Sequence, residues 1–393
     1  MSPASRRRAL QAVSGLVAGL AGCSVLPSES DSVPVPTAWS SGVEYSTPGV
    51  MVDGGPLVVG IASKWSHSDS LVGLDPDSGD EEWTMPTWSQ GETSALALDG
   101  STAFLYTSKG IVRAVDPAAG DVEWWTDTEL WDLRGPEVRL HAPVVVGDVL
   151  AVPASWPDGV GGHTDRVVGF DVESGDELWR HPLAAPLSGV IAASDGAVVL
   201  PRTDGVLEAV DASGERLWHV ERLDPFESAT ATGGRAFVGT EAERVEVFDL
   251  ASGEFLWAFE TENAVLTPPR VVDAVVYAGS ADYHLYAVDA ESGERLWRTE
   301  TSNAVTAGPV KVGDALVSVI GGWTRSPSID RRYSADPEAV CVHDAASGDL
   351  RGEFRYKGYI DEGPPQWVRS VDGEAYVGHR DALVKLAGGA LDG

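Results

Sequence analysis

The sequence predicts an all-β fold, an eight-bladed β-propeller of four-stranded antiparallel blades, and three observations carry that prediction. A phrase recurs six times: GLDPDSGDEEW (Gly73 to Trp83), AVDPAAGDVEW (Ala114 to Trp124), GFDVESGDELW (Gly169 to Trp179), AVDASGERLW (Ala209 to Trp218), VFDLASGEFLW (Val247 to Trp257) and AVDAESGERLW (Ala287 to Trp297). A seventh copy, VHDAASGDLRG (Val342 to Gly352), keeps the turn and loses the Trp. The turn glycines, Gly79, Gly120, Gly175, Gly214, Gly253, Gly293 and Gly348, lie 41, 55, 39, 39, 40 and 55 residues apart. A period near forty is that of a propeller blade. The full unit runs Pro-apolar strand, short turn, V-x-V-G strand, A-x-D strand and Trp strand, with starts near Pro48, Ala95, Ala142, Ser188, Ser228, Thr267, Ala307 and Pro364. Eight starts predict eight blades.

Taken in order, the chain begins with Ser5-Arg6-Arg7-Arg8-Ala9-Leu10, a twin-arginine export pattern, then an apolar stretch and Leu20-Ala21-Gly22-Cys23, a lipobox. The apolar run of about 13 residues is short of the roughly 20 that cross a bilayer. Residues 1–22 are therefore expected to be a cleaved lipoprotein signal peptide, with lipid on Cys23. Residues 23–36 are the lipidated Cys23 and then SVLPSESDSVPVP (residues 24–36), rich in Ser, Pro and acid, the composition of a disordered tether. Residues 37–393 read as one propeller domain. Its first segment, VPTAWSSGVEYSTPG, carries Trp39 on a Trp strand with nothing before it, whereas the last unit holds three strands and no Trp strand. The two ends are expected to share blade eight, closing the ring and leaving no sheet edge to aggregate.

Each residue of the phrase has a structural job. Its Asp can accept hydrogen bonds from the turn it opens, and its Gly supplies a left-handed conformation. The indole four residues on can cover the joint with the next blade, burying roughly 150–250 Å². Trp39, Trp83, Trp124, Trp179, Trp218, Trp257 and Trp297 are the expected docking residues. DPDSGD (Asp75 to Asp80) gathers carboxylates, but its Gly is misplaced for a calcium loop.

The phrase A-x-D-x-x-[ST]-G-x-x-x-W resembles the docking motif of PQQ-like propellers, over about Trp39 to Ala387. That family includes quinoprotein dehydrogenases and the BamB-type assembly lipoproteins. The resemblance implies the fold strongly and the function much less. The dehydrogenase branch would imply PQQ and calcium over the axis and an Asp base. Alcohol dehydrogenases of that branch carry adjacent cysteines above the quinone, and this chain, with only Cys23 and Cys341, has no such pair.

A net charge of −32, spread along the chain, gives every face an acidic, solvating skin. Nucleic-acid phosphates are disfavoured as partners. Lys occurs only at positions 64, 109, 311, 357 and 385, the other cations being Arg. This balance resembles that of halophilic archaeal surface proteins. Cys341, in the apolar AVCV, reads as a buried structural thiol.

Where the repeat is interrupted, function is expected. In a four-stranded blade the second-to-third and blade-to-blade connections share one face, and all long insertions fall there. They are Ser63 to Ser70, Ala154 to Arg166 and Gly321 to Glu338 within blades, and Asp127 to His141, Glu221 to Glu227 and Tyr356 to Gly363 between them. Their aromatic and Arg residues are types enriched at interface hot spots: Trp65, Trp131, Arg134, Trp156, Arg166, Trp323, Arg325, Arg331, Arg332, Tyr333, Tyr356 and Tyr359. These are the expected partner-binding residues. Folding over one another with Arg–Asp pairing is the structural alternative. No G-x-S-x-G, H-E-x-x-H, C-x-x-C or G-x-x-x-x-G-K pattern is present, and the histidines are scattered, although His67, His141 and His163 belong to neighbouring blades. The sequence thus points to a monomeric, non-enzymatic interaction or assembly scaffold. It would need no cofactor or metal and be lipid-anchored on the outer side of the cytoplasmic membrane, with a protein partner; a PQQ- and calcium-dependent dehydrogenase or small-ligand-binding propeller is the alternative.

Overall fold

A computed structural model describes residues 36–42, 46–51, 54–61, 70–86, 96–107, 110–128, 141–157, 163–265, 267–325, 333–355 and 364–391, with the backbone alone for 155–157, 163–164, 323–325 and 333–337. Eight four-stranded antiparallel sheets follow one another, each meandering outward from its first strand. Blade 5 is typical, with strands Phe226–Thr232, Arg235–Thr240, Arg244–Asp249 and Phe255–Glu260. The middle two strands of each blade are apolar runs buried on both faces, such as Ala197–Pro201 and Leu57–Gly60, because a neighbouring blade covers each side. Fourth strands alternate instead: Phe255–Glu260 and Arg295–Glu300 each expose every second side chain.

Blade 8 is assembled from both ends of the described chain. Pro365–Val371, Glu374–His379 and Leu383–Leu386 are completed by Thr37–Ser41, paired through Trp39 with Lys385 and Ser41 with Leu383. Every backbone edge of that last sheet is thereby matched to the ring plan, with no orphan strand at the joint.

The seams between blades show why the repeat carries its three signature residues. At the turn of blade 1, the Asp75 carboxylate accepts hydrogen bonds from the backbone N–H groups of Asp77 (2.9 Å) and Ser78 (2.7 Å). Gly79 closes the turn at φ +73°, and a Cβ there would lie 2.5 Å from the Trp39 ring. The glycine is needed twice, for its backbone and for the indole that lies flat against it. The same seat recurs around the ring: Trp83 on Gly120, Trp124 on Gly175, Trp179 on Gly214, Trp218 on Gly253, Trp257 on Gly293 and Trp297 on Gly348. Six of these indoles also donate Nε1–H to a backbone carbonyl of the next blade's turn, at 2.8 to 3.1 Å. Trp257 has the seat without the hydrogen bond.

The joint from blade 7 to blade 8 has no such Trp. Gly352 stands in its place, and Phe354 packs against the shared core of Val317, Val340, Val377 and Leu386. A short helix, Gly388–Leu391, caps this joint, and Arg351 ties Asp314 (2.9 Å), Asp344 (2.6 Å) and the Leu391 carbonyl together. Buried ionic clusters reinforce two other seams. The Glu208 carboxylate of blade 4 takes Nε2 of His181 from blade 3 and Nη1 of Arg202 (3.0 Å). Glu246 of blade 5 takes Arg222 from blade 4 (3.0 Å) and Arg244 (2.7 Å).

Candidate functional site

First-to-second and third-to-fourth turns share one face of the ring, which is uniform and tight. The opposite face carries the remaining connections, and among the described residues the strands of two blades extend beyond the others there. In most blades the second and third strands have five or six residues; in blade 3 they are Val149–Pro157 and His163–Asp171, and in blade 7 Ala315–Arg325 and Tyr333–Asp344. Within the insertions at Ala154 to Arg166 and Gly321 to Glu338, residues 154–157 pair with 163–166 and residues 321–325 with 333–337, as β-ribbons where loops were expected. Trp156 pairs with Thr164 in one, Trp323 with Ala335 and Arg325 with Tyr333 in the other. Blades 3 and 7 stand four blades apart in a ring of eight, on opposite sides of its axis. Glu221 to Glu227 is also shorter than an insertion: strand ends at Glu221 and Phe226 leave four residues between them.

Arg166 lies at the base of the blade 3 ribbon, half-buried and opposite Ala154. Of the other expected contact residues, Trp65, Trp131, Arg134, Arg331, Arg332, Tyr356 and Tyr359 lie outside the described residues, as does Cys23. Among the described residues no group of three or more His, Cys, Asp or Glu side chains converges as a metal site.

Two features of the folded chain were not singled out in sequence. The first is a carboxyl pair on the loop-rich face of blade 5. Phe226 pairs with Thr240 and Ser228 with Gly239, so Glu227 is the extra residue of a β-bulge and is re-aimed by it. Glu241 follows directly after the partner strand. Burial, followed by the Glu241 charge and a hydrogen bond from carboxyl to carboxyl, pushes the Glu227 pKa up to about 8. The pair thus holds a proton at neutral pH.

The second is His343, which fills the position held by Leu74, Val115, Phe170, Val210, Phe248 and Val288 in the six intact phrases. It is 1% exposed, neither ring nitrogen has a hydrogen-bond partner, and burial depresses its pKa to about 4. With Cys341, Glu353, Ser302 and Thr301 it lines a hollow of about 280 Å³ in the seam between blades 6 and 7. Cys341 itself is buried and its thiol is pushed well above the ordinary range, chiefly by desolvation, which makes it a poor nucleophile.

The fold and its seams define an eight-bladed propeller of the PQQ-like class. A family model described as outer membrane protein assembly factor BamB matches residues 36–199, 125–231 and 203–353, and the chain belongs to that family. Among solved structures, BamB from Moraxella catarrhalis aligns with a TM-score of 0.63 at 16% identity, over 92% of this chain and 99% of that one. The computationally designed Ika8 protein aligns with a TM-score of 0.68 at 16% identity, over 90% and 100%. A quinohemoprotein alcohol dehydrogenase from Comamonas testosteroni aligns with a TM-score of 0.60 at 13% identity, over 90% of this chain and 76% of that one. At such identities the likeness is one of fold, shared by an assembly factor, a designed ring and an oxidoreductase. No curated protein matches the sequence.

Proposed function

We propose that this chain is a membrane-tethered assembly or interaction scaffold that engages a protein partner through its loop-rich face. Export by the twin-arginine route, lipid on Cys23 and a tether over residues 24–36 would hold the ring at the outer side of the cytoplasmic membrane. The observation that carries the reading is one-sidedness: repeats keep one face uniform, while among the described residues the lengthened strands of blades 3 and 7 extend toward the other. A rigid ring with two ribbons across its axis is a platform for gripping an extended or convex partner. Membership of the BamB family supports the same reading. An anionic skin would keep the exported ring soluble in high salt and leave the Arg-bearing ribbons as the attractive places for an acidic partner.

The oxidoreductase reading has less to stand on. Calcium takes six to eight oxygen ligands, and no convergent carboxylate group of that kind occurs among the described residues. The sequence also lacks a cysteine pair to lie over a quinone.

Replacing each ribbon tip, residues 158–162 and 326–332, by a two-residue turn tests the proposal. Lipidated protein crosslinked in its native membrane should lose its partner adduct when both tips are replaced, with thermal unfolding almost unchanged. An adduct that survives at wild-type yield would remove the loop-rich face from the mechanism. Titration with PQQ and calcium tests the other reading: quinone absorbance that stays with the protein through gel filtration, with dye reduction, would establish it.

A further inference from the structure

The innermost strand of every blade borders the axis of the ring, and its register fixes which residues share a level. Counting back from the first turn of each blade, the residues at one level are Ala97, Val144, Ala192, Thr230 and Val310 in blades 2, 3, 4, 5 and 7. Blades 6 and 8 break the pattern. Arg270 pairs with Tyr277 and Arg369 with Tyr376, each two residues before the end of its strand, so both arginines stand at this same level. The level lies toward the tight-turn face, away from the ribbons.

Blade 7 separates blades 6 and 8 at every radius except near the axis. Nevertheless the Arg270 charge reaches Arg369: burial, and then repulsion from Arg270, lowers the Arg369 pKa. Nε of Arg369 is buried without a hydrogen-bond partner. Neither guanidinium makes an ion pair among the described residues, whereas Arg202, Arg222, Arg244 and Arg351 each hold a carboxylate. In a chain of net charge −32, two converging cations without a carboxylate are out of character. Desolvating one guanidinium, that of Arg369, beside a like charge is costly unless something neutralises it.

We infer that Arg270 and Arg369 form a site for a small oxyanion, of the phosphate or dicarboxylate class, in the axial channel near the tight-turn face. Guanidinium forks match the oxygens of such anions in pairs of parallel hydrogen bonds. A dianion between two forks would satisfy the orphaned Nε–H and cancel the repulsion. The residues named at that level in blades 2, 3, 4, 5 and 7, Ala97, Val144, Ala192, Thr230 and Val310, carry no charge. This site is independent of the partner-binding reading, since it lies at the other end of the channel.

Isothermal calorimetry on the full chain, with inorganic phosphate and malonate as probes at ionic strength held constant by chloride, tests it. Saturable binding of either probe is expected, weakened about tenfold or more by R369Q and by R270Q, a loss of the size expected for a charge-assisted pair. R369Q should also melt higher than the wild type in chloride and lose the probe-induced rise in melting temperature. If R369Q does not fold, R270Q, at an exposed position, decides alone. Absence of saturable binding for both probes, or variants that bind within twofold of the wild type, would overturn the site.

Discussion

His343 shows what one residue costs in a seam. Six phrases place an aliphatic or aromatic side chain there, and the seventh buries an imidazole with both nitrogens unpaired. An unsatisfied buried polar group costs about 1–3 kcal/mol. H343V should therefore stabilise the protein by about that amount, measured by urea denaturation at pH 7. The pH dependence has a definite sign. The folded pKa of about 4 lies below the ordinary 6.5, so the unfolded chain takes up the proton first, and wild-type stability should fall as pH drops from 6.5 toward 4. H343V should lack that component. Glu227 works in the opposite direction. Its folded pKa of about 8 lies above the ordinary 4.5, so the folded state binds the extra proton and the contribution is lost as pH rises from 4.5 through 8. E227Q should match the wild type near pH 4 and exceed its stability at pH 9; equal denaturation midpoints at pH 9 would refute the shared proton. The histidine was visible in the aligned phrases as an odd letter in an apolar column. The carboxyl pair was not, because only the bulge in the strand brings Glu227 toward Glu241.

At the scale of the element, the unit of cohesion is the indole on the next blade's glycine. Trp218 and Trp257 occupy equivalent seams, and they differ in one hydrogen bond: Trp218 donates to the Leu250 carbonyl at 2.8 Å and Trp257 donates to nothing. Truncating either to Ala should cost about 3–5 kcal/mol. W218A should be the worse by about 1 kcal/mol, the net worth of the bond. Equal losses in thermal denaturation would mean that the indole acts by bulk alone. These elements were legible in sequence because Asp, Gly and Trp recur at fixed offsets and each has a single physical use. The ribbons were not. WPDGVGGHTD and WTRSPSIDRRYSADP are full of turn-forming residues, and such composition reads as loop. Their pairing is carried outward by the strands beneath, with Ala154 and Gly321 already in register before the irregular letters begin. Tertiary continuation overrode local propensity there.

The whole molecule is a ring whose ends meet. Trp39 on Lys385 and Gly79 under Trp39 join the first described strand to blades 8 and 1 at once. That closure was readable from two defects in the repeat, a Trp strand with no blade before it and a blade with no Trp strand. The channel arginines were not readable, since Arg270 and Arg369 are ordinary letters in VVD- and VDG-ended strands until the ring turns them toward one axis. Closure also sorts the surface into a face made by repeats and a face made by exceptions, and function is assigned to the exceptions.

That assignment is tested most directly by photocrosslinking in the native membrane, with a benzophenone side chain placed at Trp323 on the blade 7 ribbon or at Ser292 on a tight turn. A partner adduct from the first position and none from the second is the expected result. Adducts from Ser292 alone would put the working surface on the uniform face and contradict the proposed scaffold.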